Sequence, residues 1–97
     1  MNLNVGSVIE LKQAVLGNDI GAKGIVYEIY NDFDVDGKAA SIIFPNGDYD
    51  GFSIEDQELF FNNTVYESID HSDYQFQNVI QVSRDFERGL WDDVLQK

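Results

Sequence analysis

Short apolar bursts separated by turn-forming residues run along most of this chain. Val8-Ile9-Glu10-Leu11, within residues 5–11, is the first strand-like run. The Gly-rich passage from Gly17 to Gly24 follows as a loop by composition. Ile25 to Tyr30 is β-branched and aromatic, the mark of a half-buried strand. Acidic turn residues from Asn31 to Gly37 interrupt it, and Ala40 to Phe44 resumes the strand pattern. Pro45-Asn46-Gly47-Asp48 is a tight turn, because Asn-Gly supplies the positive φ angles of a primed hairpin. Tyr49 to Ser53 returns as the partner strand. Ser53 then caps a single helical turn through Gln57, with Glu55 and Asp56 in the favoured first turn. Glu58-Leu59-Phe60-Phe61 is a fifth strand. Five short strands with turn signals between them predict a small β-barrel.

The remaining third is an extension to that barrel. From Tyr74 to Val82, the side chains of Tyr74, Phe76, Ile80 and Val82 fall on one face and Gln75, Gln77 and Gln81 on the other. This alternation favours a C-terminal strand. A helical stripe of Phe76, Val79, Ile80 and Phe86 is the open alternative. Ser83 is placed to cap a helix over about residues 84–96, with Phe86, Leu90, Trp91, Val94 and Leu95 at helical spacing. Gly89 inside it costs about 1 kcal/mol relative to Ala. The chain thus reads as one mainly β domain over residues 1–97, a barrel at 5–61 with an extension at 62–97.

The barrel segment resembles a known pattern. Gly21-Ala22-Lys23-Gly24 leads into Ile25 and Val26; Ile42 to Phe52 encloses the Asn46-Gly47 turn; Glu55 and Asp56 precede Leu59. This order is similar to the Src-homology-3-like small barrels of the KOW type. The resemblance implies a long second strand, a hairpin, a short helical turn and a closing strand. KOW modules contact RNA or protein through basic and aromatic loops, whereas the corresponding loops here are acidic, so nucleic-acid binding does not carry over.

Composition narrows the function. The chain has 97 residues with a formal net charge of -12 from 18 acidic and 6 basic side chains. Direct contact with DNA, RNA or an anionic membrane needs clustered Lys and Arg, which are missing. Without cysteine there is no disulfide, thiolate zinc site or cysteine nucleophile, and the one histidine, His71, excludes a multi-histidine metal site. No cofactor is implied. The opening MNLNVGSVIEL lacks a basic region followed by a long apolar run, so a cytoplasmic location is expected.

Local motifs offer little catalytic chemistry. Asp32, Asp34 and Asp36 ahead of Gly37 match the first half of a calcium loop, in which alternate carboxylates converge on a hard cation. The twelfth position, which calls for a bidentate Glu, is Ile43. The plainer reading is a solvated hairpin loop. The glycine loop lacks the Gly-Lys-Ser/Thr ending of a phosphate cradle. His71, between Asp70 and Ser72, reads as an exposed histidine of a polar loop, and Asn62-Asn63-Thr64 as a chance glycosylation sequon.

Charge distribution says more. Between Lys38 and Arg84 no Lys or Arg occurs, while eight acids and eight aromatics do. Tyr49, Asp50, Glu55, Asp56, Glu58, Tyr66, Glu67, Asp70 and Tyr74 are the candidate contact residues. Aromatic anchors ringed by carboxylates suit capture of a basic protein surface, with electrostatic steering. The alternative, that charge only maintains solubility, calls for a magnitude of about 8 or less. The expectation is therefore a non-enzymatic binding protein, an adaptor or inhibitor, with a nucleic-acid mimic of mobile-element type as its sharper form. The competing expectation is a calcium-binding or small metal-dependent module at Asp32, Asp34 and Asp36. A homodimer through an edge strand or the Trp91 face stays open.

Overall fold

The computed structural model describes residues 2–96. Its strands are β1 (Ser7–Glu10), β2 (Lys23–Asn31), β3 (Lys38–Ile43), β4 (Tyr49–Phe52) and β5 (Tyr66–Glu67). Helix α1 (Ile54–Phe60) lies between β4 and β5. A 3-10 turn (Ile69–His71), α2 (Val79–Glu87) and α3 (Asp92–Leu95) complete the chain. The strands form one antiparallel sheet in the order β4-β3-β2-β1-β5. Four strands lie where the apolar bursts predict them. The sheet is open, with β4 and β5 as its edges, so the expected closed barrel is not formed.

The predicted fifth strand at residues 58–61 is corrected to the end of α1. Ser53 and Asp56 form a reciprocal capping box, Ser53 Oγ accepting from Asp56 N at 3.1 Å. The buried Gln57 amide donates to the carbonyls of Lys38 and Phe52 at 3.0 and 3.1 Å. With its first turn capped and its one buried polar group satisfied, the helix runs on to Phe60. Phe61 leaves it extended and makes a single bridge to Leu11. The fifth strand is instead the two-residue β5, paired with β1.

Both faces of the sheet are buried, and a bulge in β2 sets which face its later residues join. Val26 pairs with Ile42 and Glu28 with Ser41, leaving Tyr27 as an extra residue. Without it, Tyr27 and Ile29 would share a face. With it, Ile29 joins the first core (Ile9, Leu11, Val26, Ile42, Phe44, Phe52, Phe61), and Tyr27 joins the second (Val8, Ile25, Ile43, Val82, Trp91, Leu95). Gly24 stands opposite Ile9 in this arrangement. A Cβ there would lie 2.6 Å from Ile42 Cγ2, so only glycine lets the strands close over the first core.

The second core is covered by the C-terminal third. The strand expected over 74–82 is corrected: residues 74–78 carry no ladder, and α2 begins at Val79. Asn78, not Ser83, is its cap, accepting from Gln81 N at 2.9 Å while Gln81 Oε1 accepts from Gln77 N at 2.7 Å. The single helix expected over 84–96 is two, because Gly89 takes φ +81° and turns the chain. That turn brings Trp91 inward, 1% exposed, with its ring 5.1 Å from Tyr74 and 6.5 Å from Tyr27. Trp91 therefore offers no surface for self-association.

Candidate functional site

β5 exists because Glu67 pairs with Ser7 and Tyr66 with Val8 on the outer side of β1. Ser7 is fully buried, and its hydroxyl donates to Glu67 Oε1 at 2.9 Å, so a buried group fixes an exposed carboxylate. The chain then enters the 3-10 turn carrying Asp70 and His71. His71 is buried, 6% exposed, against its expected place in an open polar loop. The reason is tertiary: its Nε2 meets Asp93 Oδ1 at 3.0 Å, tying the turn to α3. That hydrogen bond is the main cause holding the Asp93 carboxyl below its ordinary range.

These elements enclose an open cleft of about 330 Å³. Val8 and Val94 give it apolar walls, Tyr66 a half-exposed ring, and Glu67, Asp70 and Asp93 three carboxylates. Lys23 is the one cation lining it among the described residues. Apolar walls beside carboxylates suit the aliphatic stem and charged head of a Lys or Arg side chain. Ser7 Oγ is committed to Glu67 and Ser72 Oγ to the Ile69 carbonyl, so neither activates, nor is activated by, the His71 ring.

The other predicted residues lie elsewhere. Glu55 borders a shallow depression with Asp32, Asp34, Val35 and Ser53. Asp56 is used in the capping box, and Glu58 is exposed on α1. Asp50 Oδ1 accepts from Gly51 N at 2.7 Å on the edge strand β4. Tyr49 and Tyr74 pack against the second core. Burial first, then its 2.6 Å hydrogen bond to Asp85, pushes the Tyr74 phenol well above its ordinary range, so it is no free contact group.

The calcium reading finds no donor set. Asp32 Oδ1 and Oδ2 accept from Asp34 N and Ile54 N, both at 3.1 Å. Among the described residues no three His, Cys, Asp or Glu side chains gather closely enough to hold a metal ion. Nor is any helix among them long and apolar enough to cross a membrane.

Of the nine contact candidates, the fold brings Tyr66, Glu67 and Asp70 together and adds Asp93 and Lys23, which local sequence does not single out. Asp93 follows Asp92 in an acidic helical turn, and only the buried His71 distinguishes it. Comparison of the chain with family models, with curated proteins and with solved structures gives no match.

Proposed function

We propose that this is a non-enzymatic binding protein whose anionic cleft engages a basic surface on a partner protein. The observation that supports it is convergence. Glu67, Asp70 and Asp93 come from a strand, a turn and a helix to one cleft beside Tyr66 and two valines, and buried Ser7 and His71 brace two of them. Charges held in place lose little side-chain freedom on binding, and so retain more of their attraction for a cation. In its sharper form the carboxylates stand in for phosphates against a nucleic-acid-binding protein. The same reading keeps kinship with KOW-type small barrels, supported by the order of long second strand, Asn-Gly hairpin and helical turn, with an open sheet in place of the closed one.

The test is retention of basic proteins from a native lysate on the immobilised chain, eluted with salt. Affinity should fall steeply between about 0.05 and 0.5 M salt, as the screening length shrinks. Glu67→Gln with Asp70→Asn should remove most of the retention while leaving the melting temperature in place. Retention that survives both substitutions at low salt overturns the assignment to this cleft.

A further inference from the structure

The turn joining β2 to β3 holds the most exposed large apolar side chain among the described residues. Phe33 is 96% exposed, and Val35 beside it 37%. Asp34 follows Phe33 and Asp36 follows Val35 in the same turn, and no hydrogen bond engages either carboxylate among the described residues. The third acid, Asp32, is used differently. Its carboxylate bonds Asp34 N within the turn and Ile54 N at the start of α1, and its own N–H donates to the Gly37 carbonyl at 3.1 Å. Gly37 lies against Ile54 so closely that a Cβ there would collide with it. The turn is thus fastened to α1 from behind while Phe33 faces solvent.

We propose that this turn is a second docking element: Phe33 inserts into an apolar pocket on a partner protein, and Asp34 and Asp36 meet Lys or Arg side chains on the pocket rim. An aromatic ring presented from a fastened backbone fits the centre of an interface, where a few anchors carry most of the binding energy. Charge chooses among occupants. A second copy of the chain brings another -12 and is repelled, whereas a cationic rim is attracted. The inference rests on the reading that the partner is basic but uses a different surface. Cleft and turn lie at opposite ends of β2, about 26 Å apart along a nine-residue strand.

A defined mimic of such a pocket is heptaamino-β-cyclodextrin, an apolar cavity rimmed by ammonium groups; unsubstituted β-cyclodextrin is the neutral control. Amide NMR titration of the full chain should place the shifts at residues 32–37. The cationic host should bind about ten-fold or more tighter than the neutral one at low salt, with the gap closing as salt rises. Phe33→Ala should abolish binding of both hosts without changing the melting temperature. Asp34→Asn with Asp36→Asn should remove only the difference between them. Glu67→Gln with Asp70→Asn should change neither, which separates failure here from failure at the cleft. For the basic protein retained in the capture experiment, Phe33→Ala should weaken affinity about ten-fold or more. Equal affinity for the two hosts, shifts centred on Tyr66 and β5, undiminished capture by Phe33→Ala, or self-association lost in that variant would each overturn the proposal.

Discussion

His71 and Asp93 illustrate what single residues do in this fold. The Asp93 carboxyl titrates below its unfolded value, so the stability it contributes is complete above the unfolded carboxylate range, near about pH 4. It is lost as pH falls through the folded value. Asp93→Asn should therefore be less stable than the parent at pH 7, and the gap should narrow at acid pH as the carboxylate takes up its proton. Urea unfolding at neutral and at acid pH measures this, and a gap that stays constant would detach it from the carboxylate charge. Nothing near His71 in sequence announces this pairing, because its partner lies 22 positions on and reaches it only after the Gly89 turn. Ser7 and Glu67, 60 positions apart, were equally illegible as a pair. By contrast Tyr66, Glu67 and Asp70 could be read together because one short stretch carries them.

Elements were legible in proportion to how local their causes are. The Asn46-Gly47 turn and the Ser53 cap act within a few residues, and both lie where the sequence places them. The extent of α1 was not legible, since it depends on Gln57 finding carbonyls on β3 and β4. Gly89 was visible as a weak point in a helix, but its φ of +81° makes it a terminator instead. Gly89→Ala should cost about 1–2 kcal/mol, the strain of left-handed backbone on a residue with a Cβ. Gly89→Asn should cost less, because Asn visits that region more readily. Chemical denaturation of both variants checks the order, and equal losses would point to contact with Asp92 rather than to backbone strain.

At the scale of the whole molecule, residues 74–96 are a layer of the fold. They cover Val8, Ile25, Tyr27 and Ile43 on one side of the sheet, while α1 and the N-terminal segments cover the other. The unbroken apolar runs Ile25-Val26-Tyr27 and Ile42-Ile43-Phe44 carry this information, since strands buried on both faces lose their alternation. Five strands at even spacing suggested closure of the sheet; the two-sided runs point to covering it twice. A chain ended at Asp73 should lose cooperative unfolding and bind hydrophobic dyes, with poorly dispersed amide spectra. A sharp, reversible transition in that fragment would show that the sheet stands with one face bare.

The surplus residue at Tyr27 has a consequence beyond the core. A bulge bends its strand and steepens the local twist, and this one lies between the anionic cleft at the start of β2 and the turn bearing Phe33 at its end. The angle between the two proposed contact surfaces therefore depends on a single backbone position. Deleting that residue would rotate one half of the hairpin against the other, leaving every charge present but aimed at a differently shaped target.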